Sequence, residues 1–69
     1  MTRAERAAYD RATADGAAWF ESLPVSDKWA IGDALVLGGF DWRDWFADPP
    51  PPGFRRGIVR ASNAWEAAQ

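Results

Sequence analysis

The chain has 69 residues and a formal net charge of −2, and it contains neither cysteine nor histidine. A chain this short forms one small domain, with no disulfide to staple it and no Cys/His zinc site. The negative balance argues against general binding to a phosphate backbone, which needs a basic footprint, so no direct nucleic-acid partner is expected.

Stability must therefore come from aromatic bulk or from association. Five Trp, four Phe and one Tyr supply the first, because each of these side chains buries a large area. No stretch approaches the roughly 18 apolar residues of a membrane span. The start, Met1-Thr2-Arg3-Ala4-Glu5-Arg6, is charged, with no apolar run behind it as a secretory signal would have. The expectation is a cytoplasmic protein with no membrane partner.

Thr2-Arg3-Ala4-Glu5 matches a capping box, with Thr2 as N-cap and Glu5 at the third helical position. A first helix is expected over 3–22. Ala8, Tyr9, Ala12, Gly16, Trp19, Phe20 and Leu23 fall on one stripe, while Asp10, Arg11, Ala14 and Glu21 lie outside it. Gly16 inside the stripe costs about 1 kcal/mol against Ala, so a close helix crossing or a bend is expected there. Pro24 ends this helix.

A second helix is expected over 27–37, with Ser26 as N-cap, Asp27 in the first turn and Gly38 as C-terminal cap. It is apolar nearly all round except at Asp27, Lys28 and Asp33. An all-round apolar helix belongs at the centre of a domain. The competing reading is a hairpin: a strand at 34–37, a Gly38-Gly39 turn and a return strand at 40–42. Two short strands alone are marginal, which favours the helix.

The next stretch, Phe40-Asp41-Trp42-Arg43-Asp44-Trp45-Phe46-Ala47-Asp48, concentrates four large aromatics and three aspartates. On a helix over 42–47, Trp42, Trp45 and Phe46 share one face, and Asp41, Asp44 and Asp48 share the opposite one. Asp41 is a good N-cap, and Pro49 stops the element. A helix of two turns is not stable alone, so its aromatic face must dock. Docking on the chain's own core is the ordinary outcome. The functional alternative leaves one or more rings exposed as anchors for a partner, since Trp, Tyr and Arg dominate interface hot spots. One arrangement satisfies both, with Trp42 inward and Trp45 at the rim.

Pro49 to Pro52 favour polyproline II, an extended form without internal hydrogen bonds. The run reads as a stiff connector more readily than as an SH3- or WW-type ligand. A last helix is expected over 54–68. Phe54, Ile58, Ala61, Trp65 and Ala68 line one face, and Arg56, Arg60 and Asn63 the other. Gly57 weakens its first turn. Arg55 and Arg56 sit where the helix dipole disfavours cations, and ion pairs to Asp44 or Asp48 would explain them.

Catalytic chemistry finds no footing. Serine and cysteine nucleophiles need a base, and there is no histidine. Lys28 is the only lysine, and a Schiff-base role would need a desolvated pocket that so small a core can hardly provide. The i, i+3, i+7 spacing of Asp41, Asp44 and Asp48 lacks the pattern of a calcium-binding loop. Gly38-Gly39 lacks the Lys-Ser/Thr of a phosphate loop. A helix-turn-helix drawn through 26–48 would present three Asp and one Arg to the phosphates. No enzyme activity, cofactor or metal is therefore expected.

The expected fold is all-α: a compact small bundle of three main helices plus one short aromatic helix, packed around Trp19, Trp29, Ile58 and Trp65, with a polyproline connector over 49–52. Residues 1–69 form a single domain. The expected function is a small acidic, non-enzymatic module that binds a protein partner stoichiometrically, as adaptor or inhibitor. Its candidate contacts are Trp42, Trp45, Phe46, Asp41, Asp44 and Asp48. One alternative is an acidic decoy that blocks a nucleic-acid-handling enzyme, of the kind phages and mobile elements use against defence. Another is a structural subunit that self-associates as a homo-oligomer.

Overall fold

A computed structural model describes residues Met1 to Gln69. Three helices account for most of the chain: α1 over Arg3–Glu21, α2 over Val25–Leu37 and α3 over Phe54–Ala67. A single 3-10 turn, Trp42–Asp44, lies between α2 and α3, and there are no strands. The fold is an all-α small bundle.

The capping box forms at the start of α1. The Thr2 backbone N–H donates to Glu5 Oε1 at 3.0 Å, and the Glu5 N–H donates to Thr2 Oγ1 at 3.1 Å. Ala12, Gly16 and Phe20 are the buried residues of α1, an i, i+4, i+8 line that follows the sequence stripe. α2 begins two residues earlier than its sequence suggests. Pro24 takes the N-cap position in place of Ser26, and its carbonyl accepts from the N–H groups of Asp27 and Lys28. Proline needs no N–H at a helix start, and its fixed φ suits the entry. Gly38 closes α2 at φ 74°, and the Gly38 N–H reaches back to the Leu35 carbonyl while Gly39 N–H reaches Ala34. The chain therefore leaves a helix here and makes no hairpin.

The organising contact is between α1 and α3. A Cβ on Gly57 would strike the Thr13 carbonyl oxygen and come within 2.8 Å of the Ala17 nitrogen. On the facing helix, a Cβ on Gly16 would collide with the Phe54 carbonyl, its carbon lying 2.9 Å away. Each glycine thus admits the backbone of the other helix. Gly53, at φ 98°, starts α3 in a conformation that side chains resist, and it leaves room for Tyr9 and Thr13.

The fully buried side chains Phe20, Ile31 and Ile58, with Ala61, form the core, and Ala17, Trp19, Leu23, Leu35, Phe40, Trp45, Phe54 and Trp65 pack around it. Burying each Phe or Ile contributes about 1.5–3 kcal/mol. α3 supplies the centre, touching α1 on one side and α2 on the other. This reverses the expectation that α2 is central. Only Ile31 and Gly32 of α2 are buried. Trp29, expected in the core, is 43% exposed, and its ring instead meets Trp65 edge-on at 4.6 Å. Ala68, expected on the inner face of the last helix, is exposed. Ser62, which the sequence left unassigned, is buried where α3 faces Gly32.

Candidate functional site

The segment between α2 and α3 carries all six residues singled out by sequence. Asp41 opens it as an N-cap: its Oδ1 accepts from the Arg43 N–H at 2.9 Å. The Arg43 guanidinium then folds back to Asp41 Oδ2 at 3.3 Å and lies 5.3 Å from the Trp42 ring centre. The Arg43 N–H bond, joined by the guanidinium charge, holds the Asp41 carboxyl below its ordinary range, outweighing the opposing effect of desolvation.

The expected helix over 42–47 shortens to one turn. Trp45 takes φ −123°, and the N–H groups of Trp45 and Phe46 both end on the Trp42 carbonyl. The reason lies in the rings. Trp45 meets Trp19 edge-on at 5.9 Å, and Phe46 meets the same indole at 4.7 Å. On a regular helix these adjacent side chains would point 100° apart. With the turn ending at Asp44, both rings pack on the Trp19 indole. Phe46 also packs against Phe54 at 5.4 Å with the rings perpendicular. Aromatic pairs of this kind contribute about 0.5–1.5 kcal/mol beyond area burial.

The six residues are therefore divided. Trp45 and Phe46 anchor the segment to Trp19 on α1. Trp42 lies outside that anchor; both indoles are half-buried, and Trp45, read as the rim residue, packs against the core. Asp44 and Asp48 are exposed, without ion pairs, and Asp41 is committed to Arg43. The three aspartates share no helical face, and no group of three acidic side chains is placed to hold a metal ion.

Trp42 forms one wall of an open cleft of about 330 Å³. Phe40, Pro49 to Pro52, Gly53 and the buried Ile58 line it with Trp42. Arg55 closes one edge, its guanidinium 5.6 Å from the Phe40 ring centre. The neighbouring Arg56 lies 5.8 Å from the ring of Tyr9. These cation–π contacts replace the expected ion pairs of Arg55 and Arg56 with Asp44 or Asp48. A ring quadrupole attracts a guanidinium while leaving it open to solvent. Beyond the proline run a second, smaller cleft of about 210 Å³ lies between Pro51, Pro52 and Tyr9.

Phe40, the prolines and Arg55 are the parts of this cleft that sequence reasoning missed. Phe40 read as part of the aromatic stretch or, in the competing hairpin, as the start of a return strand, and the prolines read as a stiff connector in preference to an SH3- or WW-type ligand. The available signal was that an aromatic pair and a proline run flank one short turn, which must fold them back on each other.

Two hydroxyl groups, one in α1 and one at its C-cap, are tied to the backbone. Ser22 Oγ donates to the Trp19 carbonyl at 2.7 Å, and Thr13 Oγ1 donates to Tyr9 at 3.0 Å. No helix is long and apolar enough to cross a membrane. No protein-family model, curated protein or solved structure matches this chain.

Proposed function

We propose that this chain is a small non-enzymatic protein-binding module, acting stoichiometrically as adaptor or inhibitor, and that it engages its partner through the Trp42 cleft. The observation that carries the reading is the concave aromatic-and-proline surface of Phe40, Trp42 and Pro49 to Pro52, open to solvent and lined also by Arg55. Aromatic and proline walls suit an apolar side chain, and a tryptophan at the centre of a contact is the commonest energetic anchor. Asp44 and Asp48, exposed and without ion pairs in the same inter-helix segment, suit a lysine or arginine near that side chain. The partner segment is accordingly an apolar residue flanked by a basic one. Trp45 and Phe46 contribute by holding the loop that presents Trp42, and they make no contact of their own.

The test is selection from a peptide-display library on the immobilised protein, repeated with Trp42→Ala. The expected ligands carry the apolar–basic pattern and bind the variant at least about tenfold more weakly, a loss of about 1.4 kcal/mol. Ligands that bind Trp42→Ala as well as the parent, or a selection that yields no ligand, contradict the reading. Asp44→Lys and Asp48→Lys report on charge. Steep salt dependence together with loss of binding in these variants favours an acidic decoy acting on a basic cleft.

A further inference from the structure

We propose that the outward face of α2 is a homodimer interface, closed by the same face of a second copy across a two-fold axis. Val25, Trp29, Asp33 and Leu37 follow one another at i, i+4 spacing and make a continuous ridge, with Val36 beside it. Val25, Val36 and Leu37 are 58%, 80% and 83% exposed, against 43% for Trp29. Together they offer roughly 500 Å² of apolar surface, at the upper range of the largest patch on a typical monomer. Two copies face to face would remove on the order of 1,000 Å² from water, the lower limit for a specific interface. The dimer is therefore weak, with dissociation in the micromolar range.

The ridge selects its own copy as occupant because it is self-complementary. With a second α2 antiparallel and level at Ile31, Val25 lies opposite Leu37 of the partner subunit. Trp29 lies opposite Asp33 of the partner subunit. The two-fold axis repeats each pair, as an isologous contact requires. Asp33 is the one charged residue on the ridge, and it meets the one hydrogen-bond donor side chain, the Trp29 indole N–H. Neither group has a hydrogen-bond partner within its own chain. Trp29 is already held edge-on by Trp65, with the Lys28 ammonium 5.8 Å from that ring, so little side-chain freedom is lost on pairing. None of these residues lines the Trp42 cleft. The inference is independent of the proposed function, and each copy in the pair keeps its cleft.

The test is sedimentation equilibrium on the full chain from about 5 to about 500 µM, a span that brackets micromolar dissociation. The apparent mass is expected to rise from one chain to two and stop there. Leu37→Asp and Val36→Glu should stay monomeric throughout with unchanged helix content, since both side chains are exposed. Trp29→Phe, which keeps a ring and removes the N–H, should weaken association at least about fivefold. A monomer mass at every concentration overturns the proposal, as does growth beyond two chains. A dimer that survives Leu37→Asp places the interface elsewhere and also overturns it. Equal association by Trp29→Phe refutes the register.

Discussion

The α1–α3 seam and the α2 helix are built on opposite terms. The seam is made by helices that are charged on their outer sides, and it brings backbone against backbone through Gly16, Gly53 and Gly57. α2 is the most apolar of the three helices, yet only Ile31 and Gly32 are buried in it, and Val36 and Leu37 point to solvent. The difference teaches that centrality in a small bundle is set by how closely helices can approach. A helix with no bulky residue at its crossing buries area on both flanks at once. α2 is covered on one flank only, around Ile31 and Gly32.

The sharpest way to break this comparison is one substitution, Gly→Ala, made on each side of it. Gly57→Ala gains about 1 kcal/mol of helix propensity, but its methyl group has nowhere to go except into the Thr13 carbonyl and the Ala17 nitrogen. Both are backbone atoms, so the helices must separate. The expected net loss is at least about 2 kcal/mol by urea denaturation, a large share of the stability of so small a domain.

Next in size is the anchor of the aromatic segment. Trp45→Ala removes the edge-on contact with Trp19 and should cost about 2 kcal/mol. Trp42→Ala, outside the anchor, should cost under about 1 kcal/mol in the same assay. Equal losses would erase the division between the ring that holds the loop and the ring it presents.

Gly32→Ala is the counterpart of Gly57→Ala on the α2 side. Its methyl group meets the carboxylate end of Glu66, a flexible side chain that can swing away, and Ser62 Oγ at 3.4 Å. The expected result is neutral or stabilising by about 0.5 kcal/mol, opposite in sign to Gly57→Ala.

The smallest effect concerns the end of α1 that lies beyond the seam. The Thr2 backbone N–H, and after it the Thr2 hydroxyl, hold the Glu5 carboxyl below its ordinary range. A carboxyl whose folded value is depressed stabilises the fold above its unfolded value, and that contribution is lost as pH falls through the folded one. The first turn of α1 should therefore fray on acidification below the ordinary carboxylate range, while Gly16 and Phe20 stay protected. Amide chemical shifts of Glu5 and Arg6 against pH provide the check.

Much of this was legible in the sequence. The capping box, the C-cap at Gly38, the N-cap at Asp41 and the span of α3 follow from local rules that depend on a few adjacent residues. Gly16 was marked as a crossing because it breaks an otherwise apolar stripe. Its partner Gly57 read as a weak first turn, although Gly53, Gly57 and Ala61 form an i, i+4, i+8 line of small residues that fits such a crossing. The place of α2 was misread because apolar residues on every side give no direction, and the direction comes from which neighbour can approach. The aromatic segment followed tertiary packing over local spacing: the turn ends at Asp44, and Trp45 and Phe46 both pack on the Trp19 indole. The cleft was hidden for the same reason, since it exists only once Trp42 is left over from that anchor.

The claim that the α1–α3 seam is the structural centre and α2 an appended helix is tested most directly by native-state hydrogen exchange, at a concentration low enough to keep the protein monomeric. Amides in the middle of α1 and α3, around Gly16 and Ile58, should exchange only through global unfolding. Those in the second half of α2, from Ala34 to Leu37, should exchange through a smaller opening at lower free energy. Protection in α2 equal to or above that in α3 would contradict the account and return α2 to the centre of the domain.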